Sequence, residues 1–176
     1  MTIREQADVL LRQTGLLDML RRFGEPVIVG SYAMDAMAWN DLDVYIDLAG
    51  DYHEMAAAVI AVLKPYRYDG FCDRQTGAQF AGMETVITGE RWNIDIWVRS
   101  RSEIDAAVER NRAMKAQFDA RPEVREAVLR IKQELIGMGM YGFDKGKRHY
   151  HSPEIYEAVL EKGVRTVGEL LEMYPV

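Results

Sequence analysis

Three aspartates and a glycine-serine pair have the types and spacing that could do chemistry. Asp41 and Asp43 are separated only by Leu42. On a strand, side chains at i and i+2 point the same way, so both carboxylates can meet one cluster of cations. Magnesium favours such hard oxygen ligands, taking one or two carboxylates and completing its shell with water and phosphate. Asp95 lies between Ile94 and Ile96 in an otherwise apolar run, where a carboxylate faces either solvent or a site. On a neighbouring strand it would be a third carboxylate beside the first two. Three converging carboxylates repel one another unless cations hold them, and two metal ions are what they could hold. Gly30-Ser31 follows the run Val27-Ile28-Val29 and precedes a segment suited to a short helix. Glycine admits close approach of the backbone to a ligand, a helix start presents N–H groups to an anion, and a serine hydroxyl can donate to phosphate oxygen. Each element has a plainer reading. Ser31 could only cap its helix, and Asp43, Tyr45 and Asp47 could be the wet face of an edge strand.

The elements that must position these residues can be read from periodicity. Residues 3–22 space Ile3, Ala7, Leu10, Leu11, Leu17 and Leu20 as a helix does, ending at Phe23-Gly24. Val27 to Val29 reads as a buried strand, and Tyr32 to Met37 as a short helix. Residues 42–48 alternate strictly, with Leu42, Val44, Ile46 and Leu48 on one face. An alanine-rich helix over 51–64 stops before Pro65. Strand-like segments follow at about 66–73, 79–88 and 91–98, the last two close enough for a hairpin around Thr88-Gly89-Glu90. From Ser102 onward the pattern is helical. Pro122 suits the start of a second helix, Gly137 to Gly146 ends it, and Ser152-Pro153-Glu154 and Thr166 begin two short ones.

Composition narrows the functional classes. Of 176 residues, 48% are hydrophobic, enough to bury a core and to exclude disorder. No apolar run approaches the roughly 20 residues needed to span a bilayer. The charged, amphipathic N-terminus does not resemble a signal peptide, and one cysteine, Cys72, allows neither an internal disulfide nor a zinc-ligand set. A cytoplasmic protein is expected. The net charge of −6 arises entirely in residues 1–100, which hold 15 acidic and 9 basic residues, while the remainder is balanced at 13 and 13. A long nucleic-acid partner would call for a basic surface, so this balance argues against one.

Weaker candidates lie further along. Lys132 is placed on the polar side of its helix, where it could reach a triphosphate or be an ordinary solvated lysine. The run from Asp144 to His151 is basic and aromatic, suited either to folding over a nucleotide or to a solvated connector. His53 and Cys72 have no evident catalytic partner, and the ten methionines read as core filler.

Taken together, Gly30, Ser31, nine residues, then Asp41-Leu42-Asp43-Val44, with the later Ile94-Asp95-Ile96, resemble the signature of the DNA polymerase beta nucleotidyltransferase superfamily. The resemblance covers roughly residues 26–98. It implies an α/β (α+β) fold, a small mixed-sheet catalytic core over 1–100 and a C-terminal helical region over 101–176. It further implies that Gly30 and Ser31 hold nucleotide phosphates; Lys132, outside the resemblance, is a further candidate nucleotide contact by its residue type and helix position alone. Asp41, Asp43 and Asp95 would be the catalytic and metal-binding residues, taking two Mg2+ ions or Mn2+ in their place. The implied reaction moves a nucleoside monophosphate from a triphosphate, ATP by first preference, to a hydroxyl of a small molecule or protein, releasing pyrophosphate. The alternative is an inactive nucleotide-binding or regulatory protein that keeps the fold.

Overall fold

The computed structural model describes residues 1–73, 75–142 and 149–175. It divides into two compact units, Met1–Met114 and Lys115–Val176.

The first unit is a five-stranded mixed sheet with helices against one face. Its strands are β1 (Gly24–Val29), β2 (Asp41–Leu48), β3 (Arg67–Cys72), β4 (Gln79–Ile87) and β5 (Glu90–Val98), in the order β1-β2-β5-β4-β3. Only β2 and β5 run parallel. A parallel pair needs a crossover, and here the chain between β2 and β5 supplies α4 (Tyr52–Leu63) together with β3 and β4. The alternation expected over 42–48 is realised: Leu42, Val44 and Ile46 are fully buried, as are Ile94 and Ile96 on β5. They form one core with α1 (Ile3–Thr14), α2 (Leu16–Leu20) and α4.

The helix expected over 3–22 is broken in two. Gly15 adopts φ 62°, a left-handed conformation that costs glycine little, and its N–H closes α1 on the Leu11 carbonyl. The short helix expected from Tyr32 starts earlier and ends sooner, as α3 (Gly30–Ala33). The hairpin between β4 and β5 has a two-residue turn with positive φ at both Thr88 and Gly89, the geometry that matches strand twist.

Helix α5 (Arg101–Ala120) begins with a reciprocal cap, in which the Ser100 N–H donates to the Glu103 carboxylate and the Glu103 N–H donates to the Ser100 hydroxyl. The first unit extends past residue 100 and includes Asn111 of α5, whose side-chain oxygen accepts from the Gly30 N–H. In the second unit, α6 (Pro122–Gly137) starts with proline in its first turn and packs on α7 (Ser152–Leu160) and α8 (Val167–Met173). Thr166 caps α8 in a capping box with Glu169. Most of the basic run 144–151 lies outside the described residues.

Candidate functional site

The strand register decides where the aspartates go. Asp43 on β2 is paired with Asp95 on β5, and Asp41 with Asn93. Partners directly opposite in a sheet project to the same face, and residues i and i+2 do likewise. Asp41, Asp43 and Asp95 therefore share the face opposite the helical core, each half-buried. Their common face is the arrangement expected from sequence. The carboxylates are not drawn into a tight group of three ligands, since no such His, Cys, Asp or Glu cluster exists among the described residues.

Gly30 is set against this face by β1, whose Val29 lies opposite Asp43. It has φ 69°, and a Cβ added there would lie 2.4 Å from Asp43 Oδ2. The glycine is required twice over, by its backbone conformation and by the carboxylate packed on it. Its N–H already donates to Asn111 Oδ1 at 2.9 Å. Ser31 does not cap α3, whose N-cap is Val29 without a side-chain bond. Its hydroxyl makes no hydrogen bond among the described residues, which leaves it able to serve an anion. Tyr32 anchors this turn to α1: its hydroxyl donates to Asp8 Oδ1 at 2.6 Å, while Arg4 stacks 4.4 Å from the ring and donates to the Tyr32 carbonyl.

The electrostatics of the face single out Asp95. Burial, then the charge of Asp41, pushes its carboxyl up to about 7; hydrogen bonding to Asn93 opposes the shift and Asp69 adds to it. Repulsion between neighbouring carboxylates makes the donor set hungry for cations. Two or three hard, anionic oxygens on one open face fit a divalent ion completed by water and phosphate, and fit soft metals poorly. Asn93 donates to Asp41 Oδ1 at 2.8 Å and so holds one lone pair of the first carboxylate in place.

Lys132 departs from the expectation of a polar helix face. It is 1% exposed, donates to the Tyr156 hydroxyl at 2.6 Å and lies 4.5 Å from the Tyr156 ring centre. The physical reason is its position four residues after Val128 and three before Leu135, which puts it on the buried stripe of α6. It belongs to the second unit, whereas the aspartates, Gly30 and Ser31 belong to the first.

Sequence reasoning missed Asn93, Asn111 and Asp69. Asn93 was within reach, because it stands two residues before Asp95 and so shares its face. Asn111 carries no local signal, since a polar residue in a mostly polar helix is unremarked until the backbone it binds is known. Asp69 lies on β3, and only the register through Gly82 brings it into line with Asp95.

No protein-family model and no curated protein matches the chain. Solved structures do match its shape. A cytoplasmic RNA terminal U-transferase superposes with a TM-score of 0.62 at 15% identity, covering 89% of this chain and 46% of that one. The Cid1 poly(U) polymerase, in a form bound to MgATP, gives 0.64 at 14% identity, covering 90% and 49%. The non-canonical poly(A) polymerase complex GLD-2–GLD-3 gives 0.62 at 12% identity, covering 98% and 58%. The chain thus spans about half the length of the solved chains it matches. No helix among the described residues is long and apolar enough to cross a membrane. With its five-stranded mixed sheet flanked by helices, the chain shares the fold of these terminal nucleotidyltransferases.

Proposed function

We propose that this protein is a divalent-metal-dependent nucleotidyltransferase that moves a nucleoside monophosphate from a nucleoside triphosphate to a hydroxyl of a small molecule or protein. The observation that carries this is the pairing of Asp43 with Asp95 across two parallel strands, with Asp41 on the same face and Gly30 packed on the Asp43 carboxylate. ATP is the first triphosphate to test, and magnesium the first metal. The presence of MgATP on one fold neighbour is consistent with both choices.

Asp41 and Asp43 would hold the metal, with Asn93 orienting Asp41. When bound, magnesium supplies charge neutralisation at the α-phosphorus and on the departing pyrophosphate. The Ser31 hydroxyl would donate to a phosphate oxygen from the β1 side. On the β5 side, Asp95 would accept the proton of the acceptor hydroxyl as its oxygen attacks. One oxygen–phosphorus bond forms, the bond from the α-phosphorus to pyrophosphate breaks, and the proton passes from Asp95 to solvent. Without metal its carboxyl is pushed up to about 7, by burial and then by the charge of Asp41; a cation held on Asp41 would bring it down and leave Asp95 ionised to accept the proton. Holding donor and acceptor in line provides the rest of the rate.

Calorimetric titration of ATP with and without magnesium, with a chelator control, tests the reading, followed by release of pyrophosphate across an acceptor panel. Clear magnesium-dependent tightening is expected, because the carboxylates repel a bare triphosphate. Equal affinity in both conditions would overturn the metal-site assignment.

A further inference from the structure

The Gly30-Ser31 turn is held by polar contacts where the core does not reach. Val29 before it and Met34 after it are buried, but no residue of α3 is. A single helical turn has no stability of its own, and α3 has no side-chain cap. Packing therefore fixes the two ends of the turn. The direction in which Ser31 presents its hydroxyl is left to other contacts.

Those contacts come from two distant segments. From α5, Asn111 accepts from the Gly30 N–H at 2.9 Å. From α1, Arg4 and Asp8 close on Tyr32 from both ends. Asp8 Oδ1 accepts from the Tyr32 hydroxyl at 2.6 Å, and Arg4 Nη1 donates to the Tyr32 carbonyl at 2.7 Å. The Arg4 guanidinium also lies 4.4 Å from the centre of the Tyr32 ring. Arg4 and Asp8 stand at i and i+4, so one face of α1 carries both. A capping box between Thr2 and Glu5 fixes the start of that helix around Arg4. Burial, then the bond to Asp8, pushes the Tyr32 hydroxyl above its ordinary value and keeps it a donor around neutral pH. The main chain and side chain of one residue are thus held at once, which leaves the turn little freedom to rotate about its packed ends.

Tyr32 directly follows Ser31, and a donor serves a phosphate only when it is placed to within a fraction of an ångström. We propose, building on the nucleotidyl-transfer reading, that Arg4, Asp8 and Tyr32 are positioning residues that aim the Ser31 hydroxyl at a triphosphate bound on the carboxylate face. Nucleotide affinity is then set in part from α1, by side chains that need not touch the nucleotide. A clamp that only stabilised the fold would act differently. It would change how much of the protein is folded, and not how tightly the folded protein binds.

The test is calorimetric titration of the full chain with ATP in magnesium and in chelator, reading Kd and stoichiometry separately. Loss of folded protein lowers the stoichiometry and leaves Kd alone, whereas misplacement of Ser31 raises Kd. In magnesium, Tyr32→Phe and Asp8→Ala should each raise Kd about fivefold at full stoichiometry. Asp8→Asn, whose amide oxygen still accepts the bond, should stay near wild type. Ser31→Ala should weaken binding itself, and Tyr32→Phe made on top of it should add little, since the group it positions is gone. A wild-type Kd for Tyr32→Phe, an equal loss in both backgrounds, or an Asp8→Asn protein as weak as Asp8→Ala overturns the proposal and leaves nucleotidyl transfer standing. ATP binding that is independent of magnesium yet keeps the coupling between Ser31 and Tyr32 retains the clamp and rejects the transfer reading. No ATP binding by the wild type rejects both.

Discussion

The two faces of β2 and β5 are built from the same residues in alternation and behave as opposites. Leu42, Val44, Ile46, Ile94 and Ile96 are fully buried against α1, α2 and α4. Asp41, Asp43, Tyr45, Asn93, Asp95 and Trp97 are half-buried on the other side, with like charges adjacent. One face gathers groups that leave water favourably, and the other gathers groups that are stable there only with a partner. On the proposed function, stability and activity are therefore separable along a single strand, at a spacing of one residue.

Substitutions on the two faces should break this separation if it is wrong. The largest effect is expected for Asp43→Asn, which keeps shape but removes a charge from the proposed metal site. Turnover should fall by about 10³-fold or more, the scale set by losing transition-state charge stabilisation. The circular dichroism spectrum should stay native and the metal-free melting temperature unchanged or higher. Wild-type rates would show the aspartate to be ordinary strand surface. On the adjacent but opposite side, Ile94→Ala should cost about 2–5 kcal/mol in denaturant unfolding, from lost transfer energy and a cavity. Metal affinity of the folded fraction should be unchanged, and a change would show that the two faces are coupled.

Gly30→Ala sharpens the comparison at the point where backbone meets site. Its Cβ would fall 2.4 Å from Asp43 Oδ2, at a φ that L-residues rarely adopt. Stability should drop by about 1 kcal/mol or somewhat more, and magnesium affinity should drop further than the stability change predicts. Isothermal titration with magnesium and ATP would measure it, and unaltered affinity would mean that Asp43 does not bind the ion.

A smaller effect follows from Asp95. Its folded carboxyl is pushed up to about 7, well above the ordinary aspartate value of 3.8, so the folded state holds the proton more tightly than the unfolded chain. Stability from this group is fully present below about pH 4 and is lost as pH rises through about 7. In chelator, the melting temperature of Asp95→Asn relative to wild type should therefore climb between those pH values and level off above. A difference that does not vary with pH would mean that Asp95 ionises without penalty.

The contrast between Asp95 and Lys132 shows how far the sequence could be read. Asp95 was legible because a carboxylate interrupting an isoleucine run is out of place, and period-two alternation assigns its face. Lys132 was misassigned to a wet face in the run Arg130-Ile131-Lys132, while the helical stripe from Val128 to Leu135 runs through it. The break at Gly15 was missed because the apolar spacing continues across it and only the left-handed backbone reveals the stop.

By itself, the sequence determined the order of strands and helices, the carboxylate positions and the acidic bias of the first hundred residues. These follow from local periodicity, turn chemistry and charge, which act between near neighbours in the chain. The tertiary structure alone decided which residues stand beside one another across strands. Register joins Asp43 to Asp95, aligns Tyr45, Trp97, Phe80 and Phe71, and leaves Gly82 as the gap before Asp69. Register is set by burying whole faces at once, so a slip of one residue would turn every one of these side chains into the core.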